Sequence, residues 1–510
     1  MATHVAGSAS ERRGTPDHRS RLTRHHPLLI LSLLTPCVLL IHGYHPYADD
    51  GAIYVAGIQK LLHPELYRHD AVFVLSQTRF SIFAWVLAAV VRFAHLPLPI
   101  LLLACHLASI FLFLLGCWRV AVKTFATNAS RWGAVLLAAC FFTLPVAGTS
   151  IFIMDPYVTA RSFSTPLSLF ALAAALGGRW IQAVLWVALA AALHPLMAGF
   201  AAIFLLALRL AEPRMWRGLA VFGVLGLLLC ALIFLGTRHV PLELASSQAA
   251  LSRSYFFLSS WNWYEYPGLI LPLVLLIAAA WRTRGEGPVG RLSAAAAVVG
   301  VCALLAAVCF VHRSGSLLLA RLQVLRAFHM IYLAGALLLG GFAGRFAPKR
   351  PCLAAGAYCL VLLAMFAGQR LTYPASNPIE WPGITPRNLW QQAFLWIRAD
   401  TPRDAIFGMD SDYIESAGED AQGFRVMAER SAVADWYKDG GVASVFPPAQ
   451  EQWWREVQTT KNLDASTDAQ RIHRLKDSGA SWILFPAKTA TEFSCPYTNP
   501  AVKVCRLGVR

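Results

Sequence analysis

The chain has 510 residues, 57% of them hydrophobic and only 14% charged, with a mean hydropathy of +0.51. That composition excludes an ordinary soluble enzyme and points to a polytopic membrane protein. The net charge of +16 would suggest nucleic acid in a soluble chain, but residues 368–510 hold 16 basic and 17 acidic residues, so the excess lies in the first 367 and flanks apolar runs. It is orientation charge, and nucleic acid is set aside as a partner.

In chain order, residues 1–26 are hydrophilic and basic (Arg12, Arg13, Arg19, Arg21, Arg24) and run into the apolar stretch Pro27 to Tyr44, which reads as an uncleaved signal anchor with the N-terminus inside. Further apolar runs centre on 97–118, 132–147, 166–177, 180–193, 196–210, 217–236, 267–281, 292–311, 327–343 and 352–367. Several fall short of the roughly 20 residues a span needs. The apolar segment Ser81 to Ala94 ends at Arg92, His95, Pro97 and Pro99. If it lies at the interface rather than crossing, the basic clusters Arg209/Arg214/Arg217, Arg282/Arg284/Arg291 and Arg345/Lys349/Arg350 all become cytoplasmic. The expectation is therefore an α-helical membrane domain of about 11 spans over 27–367. Its external loops are 44–96, 148–165, 237–266 and 312–326.

After Arg370 a proline-rich linker leads into a polar C-terminal domain, 368–510, expected to be α/β and external. Helical spacing covers Pro386 to Ala399, with further helices near 449–459 and 466–478. Strand-like runs lie at 405–409, 424–427, 432–436, 482–485 and 501–507. Nine of the eleven cysteines lie in or beside apolar segments, and only Cys495 and Cys505, in the tail, are placed for a disulfide in an oxidising compartment.

In this orientation the acids gather on the outer face. The first external loop reads His45-Pro46-Tyr47-Ala48-Asp49-Asp50-Gly51-Ala52-Ile53-Tyr54. Two adjacent carboxylates at the membrane boundary are costly unless solvated, paired or used. In one reading they are a solvated turn capping a helix from Gly51 to Leu62. In the other, one is a general base that deprotonates an acceptor hydroxyl, and its neighbour orients it or holds a divalent cation such as Mg or Mn. Either Asp50 or Asp49 can be the base: Asp50 directly precedes Gly51 and is well placed as the cap, which makes Asp49 a serious candidate too.

A second loop carries Asp155 and Arg161, which either bind a metal and a phosphate or pair with each other. A third carries Arg321 and Arg326 at an outer interface, against the positive-inside bias. Their guanidinium groups suit phosphate recognition, or snorkelling to ordinary lipid headgroups. His194, beside Pro195, either meets substrate or satisfies backbone freed at the proline break. The cluster Trp261 to Tyr266 reads as an aromatic belt, or as rings that stack on a sugar or prenyl chain.

The order of these parts resembles the GT-C superfamily of membrane glycosyltransferases, particularly bacterial relatives of protein O-mannosyltransferases and lipid A aminoarabinose transferases. The resemblance rests on the first span, the external loop with Asp49-Asp50-Gly51-Ala52-Ile53-Tyr54, a short interfacial helix over Thr78 to Ala94, a second external acid at Asp155 with Arg161, and a domain after the last span. More narrowly, Asp49 to Tyr67, Arg321 to Arg326 and Thr401-Pro402-Arg403-Asp404-Ala405 resemble a group of bacterial inner-membrane proteins. The family's Lys-Pro-Pro before the interfacial helix is absent; Ser76-Gln77-Thr78-Arg79 stands there, leaving Arg79 as its replacement at the donor phosphate. The resemblance implies transfer of a sugar from a polyprenyl-phosphate donor to an acceptor at the periplasmic face of the inner membrane, with arginines on the phosphate. The competing classes are a transporter or flippase, for which His106 is the clearest ionisable residue within a span, and a noncatalytic scaffold.

Overall fold

The structure, a computed structural model, describes residues 27–212 and 216–508. The basic segment 1–26 and Arg214 lie outside the described residues. Helix α1 (Pro27–His42) leads to α2 (Asp49–Leu62), a single turn α3 (Ala71–Val74) and α4 (Phe83–Ala94). Then come α5 (Leu98–Thr124), α6 (Asn128–Cys140), α7 (Ala160–Leu176), α8 (Trp180–Leu193), α9 (Pro195–Leu210) and α10 (Trp216–Thr237). A short α11 (Leu244–Leu251) precedes α12 (Tyr266–Arg282), α13 (Gly287–Phe310), α14 (Leu317–Arg321), α15 (Phe328–Phe346) and α16 (Pro351–Thr372).

Each expected apolar run is built on a helix, but the run 132–147 is helical only to Cys140, after which the chain turns and Pro145 bridges to Phe152. Among the described residues six helical stretches are long and apolar enough to cross a bilayer, namely α5, α10, α12, α13, α15 and α16, the third and fifth counted with adjoining turns. The shorter ones are punctuated where the sequence breaks them. Gly178, at φ +75°, turns the chain between α7 and α8, and His194-Pro195 separates α8 from α9. Within this multi-pass membrane half, the closest helix contact is α6 against α15. A Cβ on Gly133 would stand 2.4 Å from the Gly340 carbonyl oxygen, and one on Gly344 would stand 2.3 Å from that of Ala129. Gly340 and Gly344 are one turn apart, the small-residue spacing that lets helix backbones touch inside a membrane.

The tail comprises α17 (Leu389–Asp400), β1 (Ile406–Gly408), α18 (Phe424–Ala428), β2 (Ser431–Ala432), α19 (Lys438–Val445), α20 (Gln450–Thr460), α21 (Asp468–Leu475), β3 (Trp482–Pro486), β4 (Tyr497–Thr498) and β5 (Val502–Arg506). The sheet order is β2-β1-β3-β5-β4, with β1 parallel to β2 and β3, and β5 antiparallel to β3 and β4. It is the expected α/β domain, and Cys495 and Cys505 are disulfide-bonded in it.

Three expectations are corrected. The run 424–427 is helical, because Gly423 at φ +82° turns the chain and Phe424, Val426 and Met427 all bury while Arg425 points at acids. Of the expected strand 432–436 only Ala432 lies in a strand, β2 with Ser431, since Asp435 bends the chain into α19, which periodicity did not reveal. The last membrane helix, α16, continues past residue 367 to Thr372.

Candidate functional site

Three segments converge where α1 ends. Tyr44 pairs with the linker after α16, its N–H donating to the Pro378 carbonyl (3.0 Å) and its carbonyl accepting from Glu380 N–H (3.0 Å). The His45 N–H donates to the Pro156 carbonyl of the second loop (2.8 Å), and the His45 ring stacks on Tyr373. Gly51 permits this closeness, because a Cβ there would lie 2.8 Å from the Pro46 carbonyl oxygen and 3.1 Å from Cβ of Tyr157.

The acidic pair sits at this junction. α2 begins at Asp49, not Gly51, and its N-cap is Ala48 with no side-chain cap, so neither carboxylate caps the helix. The two acids instead occupy its first turn, where exposed N–H groups favour negative charge. Asp49, at φ +49°, turns toward the tail domain. Its N–H donates to the Gln422 side chain, its Oδ2 accepts from the Tyr157 hydroxyl at 3.0 Å, and its Oδ1 forms an ion pair with Lys438 Nζ. Asp49, Gln422 and Lys438 border a small cleft between α2 and the tail domain, lined also by Ile53, Phe73, Arg425 and Asp439. Asp50 makes no hydrogen bond or ion pair among the described residues. It acts electrostatically on Tyr54, Asp155, Arg161 and Arg326.

Asp155 and Arg161 pair with each other, Nε to Oδ2 at 3.1 Å and Nη2 to Oδ1 at 2.5 Å, both side chains buried. Burial pushes the Asp155 carboxyl up from the ordinary range, against the pull of Arg161. Arg326 has no carboxylate partner among the described residues. Its guanidinium lies 5.5 Å from the Tyr255 ring, and its Nε is buried without a hydrogen-bond partner. The turn that carries it follows Gln323 at φ +53°, which separates it from α14 and Arg321. His194 stands in the same electrostatic neighbourhood as Arg161, Arg326 and His329 while also capping α9, its Nδ1 facing Met197 N–H at 3.5 Å.

The charges of Asp50, Asp155, Arg161 and Arg326 thus act on one another, and those of Arg161 and Arg326 act on His194. Arg321 donates instead to the backbone and hydroxyl oxygens of Ser246 (2.9 and 2.7 Å). Arg79 is exposed and lies over the Phe446 ring at 5.7 Å. Of the aromatic cluster, Trp261 is buried against Gly148, while Trp263 and Tyr264 are exposed. His106 is enclosed by the Tyr44 and Phe142 rings. Beside Arg161 and His194 runs an apolar groove of about 640 Å³, lined by Phe83, Leu87, Leu112, Phe163, Pro166, Phe170 and Leu193.

The cation considered for Asp49, Asp50 and Asp155 does not fit this arrangement. Among the described residues no group of three or more His, Cys, Asp or Glu side chains is arranged to hold a metal. Protein cations already occupy Asp49 and Asp155. Lys438, Tyr157, Tyr255 and His329 are site residues that sequence reasoning missed. Lys438 lies in a polar stretch with no motif, and only the tertiary fold brings it to Asp49.

No protein-family model matches the sequence, and no curated protein matches it. Solved structures do. The chain is similar to an oligosaccharyltransferase of Archaeoglobus fulgidus tethered with an acceptor peptide containing the NVT sequon, with a TM-score of 0.50 and 11% identity over 90% of this chain and 68% of that one. It is likewise similar to the archaeal oligosaccharyltransferase AglB from the same organism in complex with an inhibitory peptide and a dolichol-phosphate, with a TM-score of 0.51 and 12% identity over 92% and 70%. At such identities the likeness is one of fold alone.

Proposed function

We propose that this chain is a membrane glycosyltransferase of the GT-C type, in the O-mannosyltransferase and aminoarabinose-transferase direction. It moves a sugar from a polyprenyl-phosphate donor to an acceptor at the extracytoplasmic face of a bacterial inner membrane. The observation that carries this reading is an unengaged carboxylate, Asp50, whose charge acts on an arginine that pairs with no carboxylate among the described residues, Arg326.

The chemistry follows from those groups. Asp50 takes the proton of an acceptor hydroxyl, the freed oxygen bonds to the anomeric carbon, and the bond from that carbon to the phosphate oxygen breaks. The departing polyprenyl phosphate gains negative charge, which Arg326 offsets in a water-poor setting where such stabilisation is strong. The Asp155–Arg161 pair holds the second loop and adds its field. The apolar groove beside Arg161 suits the first isoprene units, and the cleft at Asp49 suits the acceptor.

Reconstituting the full chain in vesicles with polyprenyl-phosphate sugars tests the reading. Chain-dependent release of free polyprenyl phosphate, coupled to sugar appearing on an acceptor, is the expected result. Movement of intact donor between leaflets with no bond cleavage would replace the transferase with a flippase.

A further inference from the structure

The ammonium of Lys438 reaches the acidic pair from the other half of the molecule, and its position is fixed at both ends by one membrane-domain segment. Its Nζ pairs with Asp49 at the start of α2. Its N–H donates to Asp435 Oδ1 (2.5 Å), and the Asp435 N–H donates to Asp439 Oδ2 (3.0 Å). Asp439 receives both Arg425 Nη1 and Nη2 (2.8 and 2.7 Å), and Arg425 Nε pairs with Asp70, which lies past the end of α2. The chain of contacts leaves the first external loop at Asp70, passes through the tail domain and returns to that loop at Asp49. Buried charge pairs of this kind hold geometry because breaking one leaves an uncompensated charge.

Resting on the glycosyltransferase reading, we propose that Lys438 is the built-in cation of the site. It holds Asp49 in the position a divalent metal ion would otherwise occupy, so that transfer at Asp50 runs without added metal. Lys438 is a positioning residue. It neutralises Asp49, which keeps a second negative charge away from Asp50, and it couples that acid to the docked tail domain. One ammonium supplies a single charge on a flexible stem, whereas a divalent ion would need several oxygen ligands at once, and here Asp439 is engaged by Arg425 and Asp155 by Arg161.

The experiment uses the full chain in nanodiscs with Mn²⁺ as the probe, followed by electron paramagnetic resonance, alongside transfer from a polyprenyl-phosphate sugar with and without EDTA. The expected wild-type result is no saturable Mn²⁺ binding and no loss of transfer in EDTA. Lys438→Ala should lower kcat at least tenfold with KM for the donor unchanged, and Lys438→Arg should recover part of it. Folding of each variant is checked by thermal unfolding, and should Lys438→Ala not fold, the arginine variant and the wild-type Mn²⁺ titration decide. Saturable Mn²⁺ binding by the wild type that Asp49→Asn removes would overturn the proposal, as would full kcat in a folded Lys438→Ala protein. Absence of transfer in the wild type strikes the glycosyltransferase reading alone, because the Mn²⁺ titration still reads the cation.

Discussion

Asp49 sits at φ +49°, a conformation that aspartate and asparagine adopt more readily than most side chains. That single dihedral sends adjacent carboxylates to different places, Asp49 to Lys438 and Tyr157, Asp50 toward Arg326. Sequence reasoning anticipated that the two acids divide their tasks, but it assigned Asp50 to a helix cap. The cap is absent because the helix starts two residues earlier, at Asp49, on backbone whose strain no local pattern encodes. Arg326 was legible as an arginine out of place at an outer boundary. That it lacks an acidic partner while Arg321 is held by Ser246 depends on the break at Gln323, which propensity does not announce. The prediction at this scale concerns Arg326. Arg326→Ala should weaken binding of polyprenyl phosphate roughly 10- to 100-fold, the worth of a charged hydrogen bond, and Arg326→Lys should recover part of it. Arg321→Ala should leave that affinity unchanged. Isothermal titration in nanodiscs reads both, and equal loss in the two alanine variants would return the arginines to ordinary headgroup contact.

At the scale of elements, the apolar runs were the most readable part of the chain, because helices in lipid must be apolar along most of their length and their ends are marked by Arg, Pro and Gly. Their packing was less so. The α6–α15 contact depends on Gly133, Gly340 and Gly344 meeting across helices far apart in sequence, and nothing in one run names its partner. Gly340→Val should destabilise the membrane half by about 1–3 kcal/mol, because its Cβ would begin 2.5 Å from the Gly133 carbonyl oxygen and the backbones would have to separate. Gly356→Val, where an added Cβ meets nothing within 4 Å, serves as the control. Thermal unfolding in detergent measures both. In the tail, the short run Phe424 to Met427 reads as a strand because three apolar residues in four fit either period, and burial on both sides of α18 decides for helix.

Across the whole molecule, the tail domain is docked on the segment that follows α1 rather than tethered beside it. Arg425 bridges Asp70 and Asp439, and His69 pairs with the buried Glu456 at 3.1 Å. The domain itself was legible from the change in composition after Arg370; its docking was not, because ion pairs between distant segments carry no sequence period. The hydrogen bond to Glu456 raises the His69 pKa above 6.5, against burial and the Arg425 charge and with help from Asp70. A histidine raised on folding adds stability that is fully present below pH 6.5 and is lost as pH rises through the raised value. Limited proteolysis of the 373–388 linker should therefore quicken as pH rises through that window, and His69→Gln should flatten the dependence. A wild-type profile that is flat, or that slows with rising pH, would show that this pair does not hold the domain.

The most direct measurement compares sugar transfer by wild type, Asp50→Asn and Asp49→Asn, all in nanodiscs with the same polyprenyl-phosphate donor and with donor binding recorded in parallel. The asparagine variants keep the size of each side chain, and at position 49 they keep the left-handed backbone as well. Asp50→Asn should lower the transfer rate by about 10²- to 10⁴-fold while donor binding persists, and Asp49→Asn should cost less. Full transfer by a folded Asp50→Asn protein would contradict the account.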